Sequence, residues 1–128
     1  MKAIFFSALA VFGTLTNVAL ADPVRLGGSA FAQNCGTSTT IVSAASNVAG
    51  ILITTGSLES TASSQASLNA VYPDGTVHLV WALLITGVGL NSAMMPYPIF
   101  IPAGIGLTCS SSTPGLGNVS ITYNLYTN

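Results

Sequence analysis

The strictest pattern in the chain is a two-residue alternation in its last segment, VSITYNLY at residues 119–126. Successive side chains of a β-strand point to opposite faces, so this segment presents one apolar and one largely polar face. The apolar face holds Val119, Ile121, Tyr123 and Leu125, and the other holds Ser120, Thr122, Asn124 and Tyr126. This alternation is typical of an antiparallel sheet that covers a core on one side and meets water on the other.

The rest of the chain consists of short runs of β-forming residues separated by Gly, Pro, Ser and Asn, and no segment has a helical period. The sequence therefore predicts an all-β fold, a small antiparallel β-sandwich resembling a jelly roll, built as a single domain over residues 22–128. Eight strands are expected, at about 28–33, 38–45, 49–59, 65–72, 76–86, 97–102, 105–111 and 118–127. Around the sixth, in MPYPIFIPAG at residues 95–104, three prolines predict an edge strand or a sheet-switching connection.

Residues 1–21 have the features of a cleaved signal peptide. Lys2 precedes an apolar stretch that runs to about Leu15, and Ala19-Leu20-Ala21 forms an A-x-A cleavage site. Polar residues interrupt the stretch, which disfavours a transmembrane anchor. We therefore expect export to the periplasm, the cell surface or the extracellular medium.

Charged residues are scarce, at 4% of the chain against about 25% in average soluble domains. After residue 21 there is no lysine and one arginine, Arg25, so nucleic-acid binding, which depends on phosphate neutralisation, is excluded. Membrane association is not expected either. A surface with so little charge repels its own copies weakly. We expect self-association or binding to another surface protein, with a glycan as a further candidate partner.

The two cysteines, Cys35 and Cys109, favour one disulfide in an exported chain, which would stabilise the fold by roughly 4 kcal/mol. Two free thiols or an intermolecular bridge are the alternatives.

The segment YPDGTVHLVWALLI at residues 72–85 contains the only tryptophan and the only histidine. Both of its strand faces are largely apolar, which predicts a central strand or a strand with one face against a partner. We expect Trp81 to lie in the core. His78 is expected to be partly buried and bonded to a backbone carbonyl near the Pro73-Asp74-Gly75 turn.

No catalytic, cofactor-binding or metal-binding residues are predicted, and the chain is not expected to be an enzyme. His78 is the only candidate base, and the acids Asp22, Glu59 and Asp74 are scattered. No G-x-S-x-G elbow, calcium loop or zinc-ligand spacing is present.

Two further features concern the surface. Of the aromatic residues Tyr72, Tyr97, Phe100, Tyr123 and Tyr126, at most two are expected to be exposed for contact, with Tyr72, Tyr97 and Tyr126 as the candidates. Asn118-Val119-Ser120 is an N-x-S sequon, which makes Asn118 a candidate glycosylation site if the source organism glycosylates.

Three segments, SNVAGILITTGSLES, YPIFIPAGIGLTCSS and NVSITYNLYT, resemble small jelly-roll modules of virion and attachment proteins. In those modules a PAG-x-GL segment leads into a strand, and here Pro102, Ala103, Gly104, Gly106 and Leu107 match it. The resemblance implies the fold and brings no catalytic residues. The chain departs from phage-type modules in its signal peptide and in its expected disulfide.

These features together predict an exported or surface-exposed, non-enzymatic β-sandwich that acts in assembly, attachment or binding. The alternatives are a carbohydrate-binding module that uses exposed aromatic side chains and, less favoured, a small outer-membrane barrel.

Overall fold

The structure, a computed structural model, describes residues 26–61, 63–86 and 89–127. Residues 1–21, the expected signal peptide, lie outside the described residues. Nine β-strands form the described part of the chain, and all of their pairings are antiparallel. They are β1 (Ser29–Cys35), β2 (Thr39–Val42), β3 (Ile51–Ser60), β4 (Gln65–Val71), β5 (Val77–Leu84), β6 (Asn91–Met94), β7 (Ile99–Ile101), β8 (Gly106–Ser111) and β9 (Gly117–Leu125).

The chain is organised as one long hairpin that is rolled up. β1 pairs with β9, β2 with β8, β3 with β6 and β7, and β4 with β5. Rolling adds two further pairs, β3–β9 and β4–β8. The result is one sheet in the order β1-β9-β3-β6, in which β7 also pairs with β3, and a second sheet in the order β2-β8-β4-β5. We call them sheet A and sheet B. This is the jelly-roll arrangement, so the predicted all-β sandwich is confirmed. In the described part of the chain, each sheet ends in an edge strand on either side.

The predicted number of eight strands falls one short because Asn91–Met94 forms a strand that the sequence did not indicate. β6 and β7 lie in line along the same side of β3, where Met94 pairs with Ser57 and Ile99 with Ile53. Pro96 and Pro98 stand between the two strands and cannot donate to the ladder, so the line is interrupted there. The prolines therefore mark an edge of sheet A, as their positions predicted.

The core lies between the sheets and is made of the inward-facing side chains of both. Its fully buried members include Ile51, Ile53, Leu58, Leu107 and Val119. The expected disulfide is confirmed: Cys35 of β1 and Cys109 of β8 are bonded, fully buried, and have a Cα–Cα distance of 5.7 Å. The bond thus joins sheet A to sheet B through the core.

Of the two positions expected for the strand that contains Trp81, the central one is wrong, because β5 is the edge strand of sheet B. The other, a strand with one face against a partner, stays a prediction. Its two-residue alternation is also broken. Leu68 of β4 pairs with Trp81 and Asn69 with Leu79, so Val80 is an extra residue in a β-bulge. The bulge turns Trp81 towards the core, where it packs as expected, and leaves Leu79 on the outer face of sheet B.

Asn47 anchors the PAG-x-GL segment to the loop before β3. Its side chain is buried, donates to the carbonyls of Pro102 at 2.7 Å and Ile105 at 2.8 Å, and accepts from the Gly50 N–H at 2.8 Å. Gly104, at a φ of 77°, donates its N–H to the Asn47 carbonyl at 2.7 Å. One amide side chain thus fixes the turn through which the chain passes from sheet A to sheet B.

Candidate interaction surfaces

The Pro73-Asp74-Gly75 turn connects β4 to β5. Tyr72 and Thr76 close it with an N–H to carbonyl bond of 2.9 Å, and the Thr76 N–H donates to Asp74 Oδ1 at 2.8 Å. This backbone bond is the main reason why the pKa of Asp74 lies below its ordinary value, and the Thr76 hydroxyl adds to the effect. The carboxylate therefore serves to order the turn.

His78 follows this turn but differs from its expected setting. It is exposed rather than partly buried, and its ring stands edge-on to Tyr72 with the centroids 4.8 Å apart. The register explains the exposure: His78 pairs with Ala70 at the open end of an edge strand, where no further strand covers it.

The two described acids do not form a pair. Glu59 lies near the end of β3, and β4 then runs the length of the sandwich to the turn that holds Asp74. They therefore stand at opposite ends of the fold, whereas two-carboxylate catalysis needs both at one bond. Within residues 26–61, 63–86 and 89–127, no three His, Cys, Asp or Glu residues are grouped as metal ligands would be. In the same residues we find no helix with the length and apolar character to span a membrane.

The three tyrosines proposed as contact residues are all exposed: Tyr72 by 39%, Tyr97 by 68% and Tyr126 by 44%. Phe100 is exposed as well, with its ring 6.3 Å from that of Tyr126, whereas Tyr123 packs against the core. The expectation of at most two exposed aromatics was too low. Whether these side chains form contacts stays a prediction.

Asn118 lies on the outer face of β9, between β1 and β3, and is half-buried. Its Nδ2 is 3.5 Å from Glu59 Oε2. Its glycosylation also stays a prediction.

Large apolar side chains are concentrated on one edge of the sandwich, formed by β5 in sheet B and by β6 and β7 in sheet A. Of the twelve large apolar side chains that are exposed in the described part of the chain, seven lie between residues 77 and 100. We call this set the apolar edge: Val77, Leu79, Leu84, Leu90, Met94, Tyr97 and Phe100. None of the three strands contains Lys, Arg, Asp or Glu, so the charges that usually protect an exposed sheet edge are missing here.

The opposite edge, formed by β1 and β2, carries small side chains instead. Ala30 and Ala32 are exposed on β1 and, with Ser120 and Thr122 of β9, line a shallow groove of about 240 Å³ on the outer face of sheet A. Met94 reaches the far wall of that groove. We call the small side chains around this groove, Ala30, Ala32, Ser120 and Thr122, the small-residue edge.

A second groove, of about 500 Å³, lies on the outer face of sheet B. Its floor consists of hydroxyl and amide side chains from β4 and β8, and Leu79 forms an apolar wall on the β5 side. We call it the polar groove: it is lined by Thr37, Gln65, Ser67, Asn69, Leu79, Ser110, Ser111 and Ser112.

The sequence analysis missed the polar groove. A signal was present in QASLNAV at residues 65–71, where Gln65, Ser67 and Asn69 alternate with apolar residues. Their partners Leu79 and Ser110 come from other strands, and only the register of the sheet brings them alongside.

Comparison with known proteins gives matches of structure only. Two crystal structures, each of a pentameric capsid protein isolated from metagenomic phage sequences, match the whole of this chain with a TM-score of 0.54 and 15% sequence identity. The matches cover 87% and 85% of the capsid protein chains. This likeness confirms the predicted resemblance to virion-type β modules at the level of the fold. No protein-family model matches the chain, and no curated protein sequence matches it.

Proposed function

We propose that this protein is a non-enzymatic building block that assembles with copies of itself into a closed ring. The observation that carries the proposal is the asymmetry between the two edges of the jelly roll. One edge exposes seven large apolar side chains, and the opposite edge exposes small ones around a groove. Apolar surface of this extent on a small domain marks a contact site, because burying it is favourable.

The two edges are complementary rather than alike. A contact between unlike surfaces is heterologous, and a heterologous contact that closes on itself produces a ring. A ring with an odd number of identical subunits requires such a contact, because self-complementary contacts join subunits in pairs. The matched capsid proteins are pentameric, so five copies is the ring size that we propose here.

Electrostatics favours the same assembly. Residues 26–127 contain no Lys or Arg, and their only acids are Glu59 and Asp74, so copies meet with little repulsion and no ion pair has to be desolvated. The sequence features of residues 1–21, together with the disulfide, support our further proposal that the ring forms after export.

Two double variants test the head-to-tail contact. Leu84→Ser with Tyr97→Ser removes two exposed side chains from the apolar edge, and Ala30→Glu with Ala32→Glu places charge on the small-residue edge. Each variant alone should sediment as a single chain. Mixed in equal amounts they should form dimers, because the first retains an intact small-residue edge and the second an intact apolar edge.

The matched control is Val48→Ser, which alters an exposed apolar side chain in the loop between β2 and β3 that is not among the residues named for either edge, and should leave the ring intact. A wild-type protein that sediments as a single chain would contradict the proposal. So would a double variant that keeps the wild-type mass, since its edge would then have no part in the contact.

A further inference from the structure

The polar groove contains a buried amide whose hydrogen-bonding capacity is incompletely used. Asn69 is 8% exposed, and its Nδ2 donates to Ser67 Oγ at 3.3 Å and to Ser110 Oγ at 3.0 Å. Ser67 and Ser110 hydroxyls also bond to each other at 2.8 Å. No group in the described part of the chain pairs with Asn69 Oδ1, which remains accessible from the groove. Asn69 Oδ1 is therefore free to accept a hydrogen bond from water or from a ligand in the groove.

A second polar side chain of the lining is also without a partner in the part of the chain that the structure describes. The side-chain amide of Gln65, at the other end of the floor, makes no hydrogen bond to any described residue. The groove thus offers amide and hydroxyl groups along one line, held on rigid strands.

The wall beside this floor is apolar. Leu79 pairs with Asn69 and is 60% exposed, so its side chain stands above the level of the smaller polar residues. A ligand in the groove would meet hydrogen-bonding groups below and a hydrocarbon surface at the side. With no charged residue in the lining, nothing in the groove would offset the desolvation of an ionic ligand.

We propose that the polar groove binds a neutral carbohydrate. A sugar ring combines hydroxyl groups, which can donate to Asn69 Oδ1 and bond to Gln65, with an apolar C–H face that can lie against Leu79. The groove volume of about 500 Å³ falls within the range of about 300–1,000 Å³ that is usual for small-molecule sites.

This inference goes beyond the proposed assembly, and the two surfaces share one residue, Leu79, which belongs to the apolar edge and also forms the wall of the polar groove. The floor lies on the outer face of the two middle strands of sheet B, β4 and β8, whereas the proposed contacts use the two edges. Rings joined through their edges would leave this floor open to solvent and would present one copy of it per subunit.

Isothermal titration of the purified, oxidised protein with three neutral hexasaccharides tests the inference: cellohexaose, maltohexaose and chitohexaose. We expect saturable binding of at least one of them, with one site per chain. Asn69→Ala should weaken that binding about tenfold or more, because it removes the central acceptor. Gln65→Ala, which changes a groove side chain that makes no hydrogen bond to any described residue, should weaken it severalfold.

The control is Asn118→Ala, an outward-facing asparagine on a middle strand of the other sheet, which should bind sugar like the wild type. Thermal unfolding of each variant separates lost binding from lost folding, and Gln65→Ala keeps the test decisive if Asn69→Ala does not fold. The proposal is wrong if none of the three sugars binds, or if both groove variants bind like the wild type. It is also wrong if Asn69→Ala leaves the titration unchanged and lowers the molar mass of the assembly, since a second copy would then occupy the groove.

Discussion

Trp81 of β5 packs across the sandwich against Gly56 of β3, and the fit depends on the missing side chain of that glycine. A Cβ at position 56 would lie 3.4 Å from Trp81 Cζ3 and 3.1 Å from Ile121 Cγ2. The single tryptophan of the chain is therefore held by a close contact between the two sheets, and the bulge at Val80 is what turns it there.

Gly56→Val should lower the free energy of unfolding by about 1–3 kcal/mol, because the added carbon atoms overpack the space beside Trp81 and Ile121. Urea unfolding followed by the fluorescence of Trp81 measures this directly. Ser57→Val, the neighbouring position on the outer face, should change stability by no more than about 0.5 kcal/mol. Equal effects at both positions would show that the intersheet contact is not tight.

Loss of the disulfide should be more costly. Cys35 and Cys109 are 74 residues apart in sequence, and replacing both by alanine should lower the free energy of unfolding by roughly 4 kcal/mol, since the unfolded chain gains the entropy of an open loop. Unfolding curves of the double variant and of the wild type with reductant should agree. A loss below about 1 kcal/mol would mean that the link contributes little to the fold.

Asn47 should be the most sensitive polar position. Asn47→Ala removes three buried or partly buried hydrogen bonds at 2.7–2.8 Å and should cost about 2–4 kcal/mol of unfolding free energy. Asn124→Ala, which removes one exposed bond to the Gly28 N–H at 2.7 Å, should cost less than about 1 kcal/mol. Urea midpoints of the two variants measure the difference, and a cost for Asn47→Ala as small as that of Asn124→Ala would contradict the anchoring role.

Asp74 should make a small contribution to the free energy of unfolding, and this contribution should be lost in acid. The Thr76 N–H lowers the pKa of Asp74 in the folded state, so the unfolded chain takes up a proton first as the pH falls. The stabilisation by Asp74 is therefore fully present above its unfolded-state pKa and is lost as the pH falls through its folded-state pKa. The difference in unfolding midpoint between wild type and Asp74→Ser should therefore shrink as the pH is lowered from about 6 to about 2. A difference that is constant over this interval would show that the turn does not depend on the charge.

The parts of the fold that the sequence predicted are those governed by local pattern. The alternation in β9 marked its buried face correctly at Val119 and Ile121, and the two cysteines could be paired because no others exist. The edge position of β5 and its bulge were missed, because a strand with two largely apolar faces has the same sequence pattern in the centre of a sheet and at an edge that contacts another molecule. The polar groove was missed because Asn69, Ser110 and Leu79 meet only through strand register.

The most direct test of the account is the molar mass of the purified, oxidised chain, measured by size-exclusion chromatography with multi-angle light scattering. We predict one discrete species with the mass of five chains, unchanged on dilution, because a ring that buries the apolar edge of every copy has no free edge left. A single species with the mass of one chain would contradict the proposed assembly.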